Sequence, residues 1–350
     1  MSKPPVFADL DYTSALEASR REGRLLLLDA TAGWCGPCKV MDRTAWIDPA
    51  VIDWIRQHAI AIQIDVDAEP ATAKQFEIRA MPTVIAFKDG VEFDRAVGLK
   101  QPAELLSWLD GVMWGENSLV KLTAEAAEQP ANMFGRMKLA RALANAGKLD
   151  QATDAYVWLW QHVLEHDPAM VGVRFSFMLA EIGDLVGRHP PARTKFATLR
   201  DAAAPQPESV PASFDDWVAL NQALGELEKT LQWYDREREQ LASKTELAPL
   251  LERAVVPLLI ERERWADAGR VYVDPVASVR QHHEIIGQFA EHRPPEMDDA
   301  EFDELRGHIA AQFRNAALQV HRCLIAAGRS DEAAMVVAAA RELDPALSFH

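Results

Sequence analysis

Cysteine is scarce in this chain: three residues in 350. Three cysteines cannot form a disulfide framework, and sparse cysteine in a long chain points to a reducing compartment. Long apolar runs are missing too. The run 25–28 is four leucines, and no stretch approaches the ~20 uncharged apolar residues that span a bilayer. The first 24 residues lack an apolar segment behind a charged start, so no signal peptide is expected. Positive charge is in deficit: the net charge is −16, of which residues 1–115 carry −5. An acidity spread along the chain repels phosphate backbones and argues against a nucleic-acid partner. These absences predict a soluble, cytoplasmic protein with no membrane or nucleic-acid partner.

What is present is an ordinary globular composition, 49% hydrophobic and 26% charged, long enough for two domains. Up to about residue 115, helical and strand patterns alternate. Helices are predicted over 9–22, 39–46, 50–58, 70–78 and 103–112. Strands are predicted over 25–30, 59–66, 81–87 and 91–97. Asp48-Pro49 is a helix-start signal, cap then proline. Lys88-Asp89-Gly90 is a hairpin turn. The order gives a mixed α/β sheet with helices on both faces.

Beyond residue 116 the strand signal vanishes, and alanine, leucine and tryptophan recur at helical spacing. Four stretches align with "ALANAGKLDQATDAY" (142–156). Gly147, Gly187, Gly225 and Gly328 fall at a predicted inter-helix turn, with Glu263 in the glycine's place in one unit. Five residues on, Ala152, Ala192, Thr230, Ala268 and Ala333 are small; four further, Tyr156, Phe196, Tyr234, Tyr272 and Val337 are bulky. Small residues let paired helices approach, and bulky ones fill the groove to the next pair. Successive units are 40, 38, 38 and 65 residues apart, so the last interval holds an extra helix or two. Stretches 203–212 and 292–299 read as loops in the array, and 111–129 as the join. The expected domains are 1–115 and 116–350.

Chemistry concentrates in "ATAGWCGPCKVM", residues 30–41. Cys35 and Cys38 admit three readings. Zinc needs four ligands; Cys323 is far off in the helical array, and the nearest histidine, His58, has no companion. A structural staple across two residues restricts little chain. Redox chemistry fits the placement best: a strand ends, a helix begins at Cys35, and orphan N–H groups and the helix dipole favour a thiolate there. Lys39 adds charge one turn on, and Pro37 stiffens the first turn. No metal site is expected: His162 and His166, spaced i,i+4, read as a solvated face. Cys323, on an apolar helix face, reads as a packed thiol. Trp158, Trp160, Trp217, Trp233 and Trp265 read as array core before client-binding stripe.

Trp34-Cys35-Gly36-Pro37-Cys38-Lys39 resembles the thioredoxin active-site hexapeptide. Asp29 falls at the family's buried aspartate, Met81-Pro82-Thr83 at its cis-proline loop, and Val97-Gly98 at its substrate-groove glycine. The resemblance covers residues ~20–112, and "TAWIDPAVIDWI" resembles the insert of thioredoxin-like domains of membrane disulfide reductases. The resemblance implies a thioredoxin fold and a thiol–disulfide oxidoreductase. In it Cys35 attacks, Cys38 resolves and Asp29 serves as base. Trp34, Gly36, Pro37, Lys39, Met81, Pro82, Val97 and Gly98 form the substrate groove. The sole redox group is the Cys35–Cys38 disulfide, with no added cofactor. Partners implied are disulfide-bearing or unfolding protein clients and a thiol electron donor such as a thioredoxin reductase. Two departures stand out: Thr31 where the family has tryptophan, and Gln63 where it has a lysine beside the aspartate. Losing that lysine should raise the pKa of Asp29. The array resembles tetratricopeptide repeats, though longer in period, and the combination resembles thioredoxin–TPR chaperedoxins. Three functions remain: an oxidoreductase whose array recruits clients, a chaperone or scaffold with an auxiliary CxxC, and an assembly factor for one partner.

Overall fold

A computed structural model describes residues 3–205, 213–241, 243–291, 293 and 299–349. The chain divides into two compact units, Met1–Lys195 and Phe196–His350.

The first unit opens with a four-stranded sheet, order β2-β1-β3-β4. The strands are β1 (Leu25–Thr31), β2 (Ala59–Asp65), β3 (Thr83–Lys88) and β4 (Val91–Val97). β1 runs parallel to β2 and antiparallel to β3, and β3 and β4 form a hairpin. Its turn places Asp89 and Gly90 both at positive φ, as a tight two-residue hairpin loop requires. The helices are α1 (Tyr12–Glu22), α2 (Gly36–Arg43), α3 (Pro49–His58), α4 (Pro70–Gln75) and α5 (Pro102–Met113).

Period-two alternation sorts the strand side chains. Leu26, Leu28 and Ala30 of β1 join Ile60, Ile62 and Ile64 of β2 in a core completed by α1 and by Phe76 and Ile78 just after α4. Leu25 and Leu27 join Ala59 and Ala61 beneath α2, α3 and α5, where Met41, Trp46, Leu105 and Leu109 are buried. By the same alternation, Asp29 and Gln63 fall on this second face.

Caps explain the shifted helix ends. Asp11 accepts a hydrogen bond from Ser14 N, so the first helix starts at Tyr12. Asp48 accepts from Ala50 and Val51 N, and Pro49 opens α3 as expected. The segment expected as one helix over 39–46 begins earlier, at Gly36. It breaks at Thr44 and continues as a single 3-10 turn, Ala45–Ile47.

After α5 every described element is helical. α6 (Ser118–Glu128), α7 (Met133–Asn145) and α8 (Leu149–His166) complete the first unit with Leu179–Arg188 and the start of Pro190–Ala202. Asp94 of β4 ties α6 to the sheet, accepting from Ser118 N and Oγ and from Trp108 Nε1. The change of fold type thus follows α5, whereas the compact units part at Lys195.

The second unit holds Phe214–Ala223, Glu228–Leu241, Ala248–Ala254, Val256–Glu261, Trp265–Val271, Pro275–Glu291, Asp299–Ala326 and Ser330–Leu343. Its core includes Trp217, Trp233, Leu259, Phe313 and Cys323. The long last interval of the repeat is filled by Pro275–Glu291 and a 28-residue helix.

All five small repeat positions are fully or nearly fully buried, as are four of the five bulky ones. The exception is Val337, half-exposed beside a buried Val336. Gly147, Gly225 and Gly328 occupy left-handed turns, and Glu263 is also left-handed, at φ +56°, without being glycine. Gly187 does not: it lies inside Leu179–Arg188, and the turn falls at His189. His189 precedes Pro190, which forces an extended backbone (φ −130°, ψ 98°) without needing glycine. These hairpins are consistent with a tetratricopeptide-like array. The expected loops 203–212 and 292–299 lie mostly outside the described residues.

Candidate active site

Cys35 sits where β1 has ended and α2 begins. It is the N-cap of α2: its Sγ accepts from Cys38 N at 3.2 Å, and its carbonyl accepts from Lys39 N. Gly36-Pro37 form the first turn, and proline costs nothing there because that N–H has no helical partner. One helical turn brings the two Cα atoms to 5.4 Å, and Cys35 and Cys38 are joined by a disulfide.

Both sulfurs are buried against Ala32, Val66 and Met81. The residues around them are open: Trp34 is 67% exposed, and Gly36 and Pro37 are exposed as well. The indole of Trp34 is held by donation to Asp67 Oδ2 at 2.8 Å. Met81-Pro82 is a cis peptide bond. Gly98 N donates to Pro82 O at 2.8 Å, and Thr83 pairs in register with Val97, so these two segments lie side by side. Gly98 has φ +86°, which favours glycine there. Lys39 is half-buried on α2.

Asp29 is buried in β1, paired in register with Gln63 of β2. Gln63 Nε2 donates to Asp29 Oδ2 and to Asp42 Oδ1, each at 2.9 Å. Asp29 Oδ1 is buried with no hydrogen-bond partner. Burial lifts the carboxyl of Asp29 to a pKa of about 7; the Gln63 bond opposes the shift and the charge of Asp42 adds to it. Asp42 is raised too, by partial burial. The rise expected from the missing lysine is therefore present, and the glutamine in its place holds two carboxyls.

Asp42 is the site residue that sequence reasoning missed. It lies four residues after Cys38 on α2, so the same helix face carries both, but only the sheet register brings Gln63 beneath it. Among the described residues no group of three or more histidine, cysteine, aspartate or glutamate side chains could hold a metal. His162 and His166 pack on the ring of Trp158 instead. Cys323 is buried in the second unit, its thiol pushed up to about 11 by desolvation. Trp160, Trp217 and Trp233 are buried; Trp158 and Trp265 are partly exposed, each capped by an arginine, Arg136 and Arg322. No described helix is long and apolar enough to cross a membrane.

A disulfide whose first cysteine caps a helix, packed against the residue before a cis-proline and following a strand with a buried carboxyl, is the arrangement of a dithiol–disulfide exchange domain. The sequence profile of thioredoxin matches residues 6–111. The thioredoxin of Chlamydia trachomatis is 38% identical over 82 residues, covering 76% of that protein and 23% of this chain. The thioredoxin of Mycolicibacterium smegmatis is 40% identical over 89 residues, 78% of its length and 25% of this chain. The thioredoxin of Staphylococcus aureus is 34% identical over 102 residues, 90% of its length and 29% of this chain. The chain belongs to the thioredoxin family through this N-terminal domain, and it is a thiol–disulfide oxidoreductase.

Proposed function

We propose that the Cys35/Cys38 dithiol reduces disulfides in protein clients and that the helical array recruits them. The observation that carries this reading is the buried disulfide at the start of α2, ringed by exposed Trp34, Gly36 and Pro37 and flanked by Met81-Pro82 and Gly98. In the reduced protein the helix N-terminus stabilises the Cys35 thiolate. That thiolate attacks a client disulfide sulfur, expelling one client thiolate and forming a mixed disulfide. Asp29 takes the proton of the Cys38 thiol, and Cys38 attacks Cys35 Sγ. The Cys35–client bond breaks, the second client thiolate leaves, and the Cys35–Cys38 disulfide is restored. A base with a pKa near 7 both accepts and returns that proton at neutral pH. A thiol donor of the thioredoxin-reductase class then returns two electrons to the disulfide. Trp34, Gly36, Pro37, Lys39, Met81, Pro82, Val97 and Gly98 line the client groove.

A Cys38→Ser chain tests the reading. It should accumulate mixed disulfides through Cys35 with clients in a lysate, and the wild-type chain should reduce insulin with dithiothreitol as donor. A wild type inert towards insulin, with no Cys35-linked adducts, refutes it.

A second reading is a chaperone whose array holds unfolding proteins. It is favoured by apolar side chains left exposed on the helices of the first unit, Val120, Phe134 and Phe177 each more than half exposed. A doubly substituted C35A/C38A chain that still suppresses aggregation of an unfolding client supports this reading; one that loses suppression returns the function to the dithiol.

A further inference from the structure

Gln63 uses both hydrogens of one amide nitrogen on two carboxyls, Asp29 on the inner side and Asp42 on the outer. We propose that Asp42 is a positioning residue for the exchange reaction: acting through Gln63, it keeps the transferable proton on Asp29, so that an inner and outer carboxyl, bridged by one amide, together form the base. This rests on the assignment of Asp29 as the base that serves Cys38.

The geometry fixes which carboxyl holds the proton. Nε2 is a donor only, so the two oxygens it meets, Asp29 Oδ2 and Asp42 Oδ1, are acceptors. The two carboxyls lie only one amide apart, and both cannot ionise freely in a partly dry site. Asp42 is half-exposed, and water stabilises its charge. Asp29 is buried in the sheet, where a charge is most costly. The shared proton therefore rests on Asp29. Oδ2 is occupied by Gln63, which leaves Oδ1, the buried oxygen without a partner, as the atom that carries the proton and exchanges it.

In the oxidised protein no other ionisable side chain competes; in the mixed disulfide the Cys38 thiol joins as the proton donor that Asp29 serves. Asp29 pairs in register with Gln63 on one side and Val84 on the other, and the core sharing its face consists of apolar residues, among them Met41, Trp46 and Leu105. Among the described residues Asp42 is the one ionisable group whose charge bears on Asp29, and burial and the Gln63 bond lead the influences on Asp42 itself. A lysine at position 63 neutralises a buried aspartate outright. A glutamine bridging to a second acid stabilises its ionised form less and leaves it responsive to that acid.

The test is the pH dependence of mixed-disulfide release in single turnover of the full chain. Asp42→Asn removes the outer charge, so the midpoint should move acidward by about one pH unit. Gln63→Met removes the donor and should move it alkaline. A passive structural role predicts no opposed shifts, so an Asp42→Asn midpoint equal to wild type overturns the inference. Asp29→Asn separates the two layers. If it abolishes the ionisation while Asp42→Asn leaves the midpoint in place, the base assignment stands and the inference alone falls. If Asp29→Asn keeps both ionisation and rate, the base assignment falls and takes the inference with it. A carbon-13 carboxyl titration of the unsubstituted chain checks the same point without a variant: the Asp42 signal should carry a second inflection at the midpoint of Asp29, and a single-step Asp42 curve overturns the coupling.

Discussion

Replacing Asp29 by asparagine changes stability in a way that depends on pH. In the folded chain this carboxyl has a pKa of about 7, raised above the ordinary aspartate value of ~3.9 first by desolvation. The folded state therefore binds the proton more tightly than the unfolded state. The benefit is fully present below pH ~3.9 and is lost as pH climbs through the folded value near 7. A rise of about three pH units corresponds to a loss on the order of 4 kcal/mol across that window. Asparagine carries no such titration. Its oxygen still accepts from Gln63, but its amide nitrogen sets two hydrogens where the protonated Oδ1 sets one, and the extra unpartnered donor costs about 1–3 kcal/mol at every pH. The variant should be the less stable protein at pH 4 and the more stable at pH 8, crossing wild type near pH ~5–6. Hydrogen exchange of the β1 and β2 amides in the full oxidised chain, corrected for intrinsic rates, measures the difference. The other carboxyls are common to both proteins and cancel, except Asp42, which Gln63 couples to Asp29 and whose contribution belongs to the same titration. A stability difference that stays constant from pH 4 to pH 8 refutes the reasoning: Asp29 is then ionised in the folded state, and the sheet interior is wetter than its burial implies.

The thiols should react in a fixed order. Iodoacetamide at neutral pH should label Cys35 of the reduced chain fastest, because it caps a helix, and Cys323 slowest, because its thiol is buried and pushed up to about 11; peptide mapping reads the order, and equal labelling refutes it. Gly269→Ala should destabilise the second unit by roughly 1–3 kcal/mol, since a Cβ there would stand 2.1 Å from the Cys323 carbonyl oxygen and the long helix must move; urea unfolding reads the loss. Glu263→Gly should stabilise the same unit by about 0.5–1 kcal/mol by relieving a left-handed turn, and an unchanged urea midpoint would show that the turn carries no strain.

The amino-acid sequence alone determines much of this protein, for local reasons. WCGPCK places a cysteine pair one helical turn apart at a helix start, because Gly-Pro and the spacing permit little else. The largely apolar runs at 25–30 and 59–64 become the parallel strand pair, β1 inside the sheet and β2 at its edge, and Asp48-Pro49 and Lys88-Asp89-Gly90 act as cap and turn. The repeat of small and bulky residues marks the array's buried faces, because close helix pairs accept only small side chains at the crossing. The tertiary structure decided the rest. Gly187 carries the repeat's signature, yet His189-Pro190 places the turn two residues later, and only the neighbouring helices reveal which signal prevails. Asp42 looks like any solvent-facing acid on a short helix. It becomes part of the site because parallel register sets Gln63 beside Asp29 while α2 lays Asp42 over the same amide. Spacing along a chain records contacts within a turn or a hairpin; a carboxyl pair bridged across a sheet and a helix depends on how those elements pack, which local pattern does not encode.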